Sequence, residues 1–227
     1  YKRQILCLIF MNNSFDLKRY TLLGWSFFIL TWISLCVDGL ALDRSDFKIN
    51  TDPPGSTFTP DDCLSTIWVP DGYRLELVAA EPMIEEPVCM AWGPNGELFV
   101  AEMRTYMRDI DMNGELEPLS RIVKLVDLDG DGRMDKSTTY LDNLVLPRAI
   151  LTLDNKVLVG EPPHLWLCED TDGDGVADKK ISIFENFGKR ESGNVEHKIN
   201  GLQWTMDNWI YNTKSASIFR YRDGTIE

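Results

Sequence analysis

The sequence predicts an all-β fold of the β-propeller class, with about three blades inside the chain. Three observations carry that reading. A hairpin pattern recurs three times, each hairpin is followed by a strand that ends in an aspartate-led turn, and the unit repeats at intervals of 59 and 53 residues. Helical arrays share such intervals, but they space apolar residues three and four apart, and that spacing is missing here.

The hairpins are Met90–Val100, Ala149–Val159 and Leu202–Asn212, each an apolar strand, a tight Asn/Asp/Gly turn and a second apolar strand. Aligning Trp92, Leu151 and Trp204 gives the two intervals, and the longer one fits an insertion around residues 105–120. The strands that follow are Arg121–Asp127, His164–Asp170 and Ser217–Asp223, with Ser137–Leu141 and Lys180–Phe184 as returning outer strands. Four short strands per unit define a blade. The blades fall at about 70–145, 146–185 and 195–227 within a partial propeller over 68–227. A ring needs at least four blades, so the chain reads as a fragment. Tyr1 at one end and the half-hairpin Arg222–Glu227 at the other point the same way.

Ahead of the repeats, Lys18 and Arg19 precede an apolar run from Tyr20 to Val37, followed by Gly39 and Ala41. That is the layout of a secretory signal, predicted as an N-terminal apolar helix within residues 1–42. With Met11 as the start, residues 1–10 would be untranslated or misassigned sequence. The alternative is a retained membrane anchor, since the run is just long enough to span a bilayer. Both place the remainder outside the cytoplasm, as a periplasmic, cell-envelope or membrane-anchored protein that touches membrane only through this segment. Residues 43–67 carry Pro53, Pro54, Gly55 and Pro60 and read as a linker without strand or helix period.

The 227 residues are 44% hydrophobic with a formal charge of −13, which argues against a nucleic-acid partner. Much of the negative charge sits in two loops, which points to cations. Asp127-Leu128-Asp129-Gly130-Asp131-Gly132-Arg133-Met134-Asp135 recurs 43 residues later as Asp170-Thr171-Asp172-Gly173-Asp174-Gly175-Val176-Ala177-Asp178. Carboxylates at positions 1, 3, 5 and 9 wrap hard oxygen ligands around one cation, glycine at position 6 permits the bend, and the carbonyls of Arg133 and Val176 add a ligand. Position 12 holds Thr138 and Ile181 where an EF-hand needs glutamate, and both flanks read as strands. These are strand-loop-strand calcium hairpins; the bland alternative is a pair of solvated turns. Five cysteines, at 7, 36, 63, 89 and 168, form no CxxC pair, so zinc clips and haem attachment are absent. One disulfide among Cys63, Cys89 and Cys168 stays open beside buried free thiols.

A family resemblance rests on a specific order of motifs. Gly72–Pro82 leads into the Trp92 hairpin and Ala101-Glu102-Met103-Arg104-Thr105-Tyr106. The two aspartate loops, Gly160-Glu161-Pro162-Pro163 and Glu196-His197-Lys198-Ile199-Asn200-Gly201-Leu202 follow. Over residues 68–227 the chain resembles the N-terminal propeller of the PVC-type haem-binding CxxCH proteins, a family of membrane-bound dehydrogenases. That domain is similar to the soluble quinoprotein glucose and sorbosone dehydrogenases. The resemblance implies a six-bladed ring in the whole protein and a cytochrome c domain beyond this chain, so haem is not expected in this segment. It also implies pyrroloquinoline quinone as cofactor and His197 as the base taking the alcohol proton while hydride passes to the quinone. A structural histidine satisfying a turn is the alternative for His197. Arg104, Tyr106 and Arg148 sit near strand ends, facing either the channel or the blade packing; His164 and the hairpin aromatics read as structural.

Two functions are therefore expected. One is a calcium-binding, quinoprotein-like dehydrogenase of sugars or related alcohols, handing electrons to the cytochrome domain. The other is a non-catalytic, calcium-stabilised propeller that binds carbohydrate or protein partners. Propellers host both.

Overall fold

Two four-stranded antiparallel sheets, each wound in simple up-and-down order, form the centre of the protein. The computed structural model describes residues 5–11, 58–188, 198–213, 217–223 and 225–227. Strand β1 (Ile5–Met11) pairs with β2 (Tyr73–Ala80), and a short helix α1 (Pro60–Ser65) lies between them in sequence. The first full sheet is β3 (Pro87–Trp92), β4 (Leu98–Glu102), β5 (Ser120–Val126) and β6 (Lys136–Leu144), in that order. The second is β7 (Ala149–Leu153), β8 (Lys156–Glu161), β9 (His164–Glu169) and β10 (Lys179–Phe184). A third is sketched by β11 (Leu202–Trp204) and β12 (Ile210–Asn212), a bridge from Ile210 to Phe219, and the hairpin β13 (Tyr221–Arg222) with β14 (Thr225–Ile226). The architecture is all-β and propeller-like. The apolar run of residues 20–37, expected as a helix, lies outside the described residues. Among the described residues no helix is long and apolar enough to cross a membrane.

The strands follow the repeat, with one shift of register. Trp92 pairs with Leu98 and Trp204 with Ile210, but in the middle hairpin Thr152, not Leu151, pairs with Val157. The middle turn is the two-residue Asp154-Asn155, with Asp154 at φ +52°, whereas the first hairpin carries a longer turn with Gly96 at φ +86°. Thr152 thus occupies the place of Trp92, and its Oγ1 donates to the Trp92 carbonyl at 2.6 Å.

Alternation along each strand sends side chains to both faces, so each sheet packs on two neighbours. Leu98 and Val100 of β4 join Val78, Ala79 and Ile84 in one core, while Phe99 and Ala101 face the second sheet with Val157 and Val159. Leu158 faces the third sheet with Leu202, Ile210 and Phe219. Gly160 lies at this second junction because a Cβ there would stand 2.6 Å from Phe187 and 2.8 Å from the Ala149 Cβ.

Strand β2, grouped with the first blade by the sequence reading, is not in that sheet. Among the described residues it pairs with β1 in a separate two-stranded sheet. The β1–β2 ladder skips Val78, the β5–β6 ladder skips Tyr140, and the β9–β10 ladder skips Ile183. Such single-residue bulges bend a strand and turn a carbonyl outward. The Val78 carbonyl accepts the Met134 N–H, and the Tyr140 carbonyl accepts the Ala177 N–H. Met134 and Ala177 hold the same position in the two aspartate loops. The linker also contains more order than its composition suggests. Thr59 caps α1 by accepting the Asp62 N–H, Pro60 begins it, and Asp61 and Asp62 favour its N-terminus.

Candidate functional sites at the two ends of the sheets

An up-and-down sheet sorts its connections by end. The first and third turns lie at one end; the middle connection and the crossover to the next sheet lie at the other. Both aspartate loops are third turns, so they share an end with the hairpin turns. A bond from Asn155 Nδ2 to Glu169 Oε1 at 2.9 Å joins the two kinds of turn.

Each loop is wound by its own carboxylates. Asp127 accepts the N–H groups of Gly130 and Gly132 at 2.7 and 2.8 Å, and Asp135 accepts from Leu128 at 2.7 Å. Asp170 accepts from Gly173 and Gly175 at 2.8 and 2.9 Å, and Asp178 accepts the Thr171 N–H and hydroxyl at 2.7 and 2.8 Å. Gly130, Gly132, Gly173 and Gly175 all have φ between +79° and +95°, where a side chain is strained. Asp131 and Asp174 accept the N–H of Arg133 and Val176, fixing the turn that presents those two residues.

Carboxylate oxygens of Asp127, Asp129 and Asp135 come within 4.8 Å of one another in the first loop, and those of Asp170, Asp172 and Asp174 do so in the second. Asp131 and Asp178 stand outside these sets of three. The hard-oxygen donors fit a calcium ion chemically. The backbone bonds from Gly132 and Gly130 hold the Asp127 carboxyl below the usual carboxylate range, and Thr171 does the same for Asp178. Both are therefore ionised at neutral pH. The contribution that ionisation makes is complete above the ordinary aspartate range and is lost only as pH falls through the lowered values.

The opposite end holds a cavity of about 640 Å³. Its rim is the long β4–β5 connection, with Met112, Asn113, Leu116 and Glu117 exposed and Glu115 buried. Its walls are Val145, Leu146 and Arg148 from the crossover into β7, Pro162 from the β8–β9 turn, and Lys198 ahead of β11. The Glu115 carboxylate accepts the Met107 N–H at 3.3 Å, and its backbone carbonyl accepts the Thr105 hydroxyl at 2.8 Å. Burial lowers the Arg148 pKa, opposed by nearby Tyr106 and Glu115. Arg104, by contrast, pairs with Glu85 at 2.6 Å at the surface. His164 stacks on Trp166 at 4.6 Å and has no place in the cavity lining. His197, the expected base, lies outside the described residues, one position before Lys198.

Two carboxylates, quoted only inside the resemblance motifs, were given no role from the sequence. Glu102 ends β4 and Glu161 ends β8, 59 residues apart, and both are buried. Glu102 accepts the Glu85 N–H at 2.8 Å and pairs with Arg121 Nε at 2.5 Å. Glu161 accepts the Val145 N–H at 2.7 Å and Trp166 Nε1 at 2.6 Å, with Lys180 at 3.6 Å. Each ties the segment entering its sheet to the second strand, and the second thereby fixes a wall of the cavity. The signal was available, since both stand four residues beyond the matching positions Leu98 and Val157. The third repeat has Lys214 there, which hides the pattern.

Cys63, Cys89 and Cys168 are free thiols. Burial pushes the Cys89 and Cys168 thiols up to about 12, so both are protonated packing groups between the first two sheets.

Comparison with known proteins adds family membership. No curated protein matches the chain. One solved structure, described as that of a candidate gluconolactonase, aligns at 18% identity with a TM-score of 0.44. The alignment covers 68% of this chain and 51% of that one, so this chain spans about half its length. A family model described as a domain of unknown function (DUF7133) matches residues 59–225. With most of its length inside that match, this protein belongs to the DUF7133 family.

Proposed function

We propose that this chain is part of an exported, calcium-binding propeller that works as a quinoprotein-like dehydrogenase of sugars or related alcohols, passing electrons to a cytochrome domain outside the chain. The observation that carries the proposal is the division of labour between the two ends. Two matching aspartate loops occupy one end, and a cavity with mixed charges occupies the other. Calcium at the loops would be structural, bracing hairpins far from the cavity. The dehydrogenase reading rests on the resemblance of residues 68–227, with His197, the residue before Lys198 in the sequence, as the base. A quinone bearing several carboxylates asks for an excess of cations. The described lining offers Arg148 and Lys198 against Glu115 and Glu117, which does not supply it, so no step is routed through the quinone.

A second reading, a binding propeller without catalysis, is favoured by the exposed Met107, Ile110, Met112, Leu116 and Leu119 on the β4–β5 connection.

Calorimetric titration tests the calcium half. We expect about two ions per chain at pH 7, held down to about pH 5 and released below it. The double variant Asp129→Ala with Asp172→Ala should bind none. A folded wild-type sample that takes up no calcium would reduce the loops to ordinary turns. For the dehydrogenase half, His197→Ala in the whole protein should lose at least about a hundredfold in sugar oxidation. Full retention of that activity removes His197 from the chemistry.

A further inference from the structure

We infer that the cavity between the β4–β5 connection and the crossovers into β7 and β11 binds an uncharged small molecule with an apolar body. The inference stands on the cavity alone, without the calcium loops, His197 or a quinone.

Charge in this cavity is balanced and already in use. The described lining holds two cations, Arg148 and Lys198, and two carboxylates, Glu115 and Glu117. Neither cation is without a partner, and Arg148 Nε donates to the Leu146 carbonyl at 3.3 Å. Glu115 is buried and takes the Met107 N–H. Asn113 gives its side-chain amide to Asp109, which is not a lining residue. A charged ligand would shed its own water here and find no counter-charge in excess to replace it. An anion meets Glu115 and Glu117, and a cation meets Arg148 and Lys198.

Apolar surface is what the walls do offer. Leu146 and Pro162 are buried, Val145 is half-buried, and Met112 and Leu116 stand exposed at the rim. Single exposed apolar side chains are ordinary on a protein surface. These two are different because they continue an apolar wall into the mouth of a concave site. A ligand seated there takes both out of water, and that is the favourable step. The volume of about 640 Å³ suits a molecule of two linked or fused rings. A free sugar fits less well, because its many hydroxyls need donors and acceptors and the polar side chains named above are largely engaged.

The test uses the whole protein and the uncharged dye N-phenyl-naphthylamine, whose fluorescence rises in apolar surroundings. Anilinonaphthalene sulfonate has the same rings and one negative charge. The uncharged dye should saturate one site and bind roughly tenfold tighter than the sulfonate. 4-Phenylbutanol should displace it at lower concentration than 4-phenylbutylamine, and glucose should not displace it. Met112→Ser and Leu116→Ser, both at exposed positions, should each weaken binding about fourfold. Ile110→Ser is the control, since Ile110 is exposed on the same connection but does not line the cavity; its binding should equal wild type. Leu146 has φ +51°, which asparagine tolerates, so Leu146→Asn places an amide in the wall and should cost roughly tenfold. Should Leu146→Asn fail to fold, the two rim variants carry the comparison. No saturable binding, sulfonate binding as tight as the uncharged dye, or equal losses in Ile110→Ser and the rim variants would overturn the assignment. Binding is read without turnover, so neither result decides the dehydrogenase reading.

Discussion

Glu102→Ala is expected to lower the free energy of unfolding by about 3–5 kcal/mol, read from the urea midpoint at unchanged slope. Glu102 is fully buried and holds both the Glu85 N–H and the Arg121 guanidinium. Alanine would leave an amide and a half-buried cation without their acceptor, and the cost of breaking such a pair comes mainly from the group left behind. Glu161→Ala should cost less, about 2–3 kcal/mol, because its cation Lys180 stands at 3.6 Å and remains partly solvated. Its loss should also disturb the cavity, since Val145 is the wall residue it holds. A Glu102→Ala protein within about 1 kcal/mol of wild type would show that the pair is replaceable by water or by rearrangement.

Removing calcium is expected to have the next largest effect. With each ion at a hundredfold excess over its dissociation constant, a site adds about 2.7 kcal/mol to the folded state. Two sites together translate to a fall of roughly 10–20 °C in the unfolding midpoint on adding chelator. The two loops brace different junctions. The first touches β2 and, through the Arg133–Asp61 pair, α1; the second touches β6. Lys124 in β5 also approaches Asp170, at 3.9 Å. Hydrogen exchange should therefore show the Met134 and Ala177 amides gaining protection with calcium. Asp172→Ala should abolish the gain at Ala177 and spare that at Met134. Equal exchange at both amides with and without the ion would separate cation binding from the junctions.

The sheets were legible because period-2 alternation and Asn/Asp/Gly turns are local signals, and they placed the ten consecutive strands β3 to β12 close to their true positions. The register of the middle hairpin was not. Leu151 and Thr152 both fit an apolar-strand template, and only the ladder shows that a two-residue turn moved the pairing by one. The membership of β2 was hidden for a different reason. Its alternating Leu75, Leu77 and Ala79 say that it is a strand but not which edge it joins, and sequence nearness to β3 was the wrong guide. The aspartate loops could be read directly, since their spacing is their chemistry. The cavity could not, because its walls come from four connections scattered between residues 112 and 198. Arg148 was singled out at a strand end, but nothing local relates it to Glu115 or Lys198.

The bulge carbonyls of Val78 and Tyr140 have a mechanical meaning. Neighbouring sheets touch first through their central side chains, and a contact confined to that patch would let one sheet rock on the other like a door on a single pin. Each bulge adds a second fixing on the outermost strand, far from the pivot, where a given force opposes rotation with the longest lever arm. The loops that receive these bonds are the aspartate loops, so tightening a loop stiffens the rim.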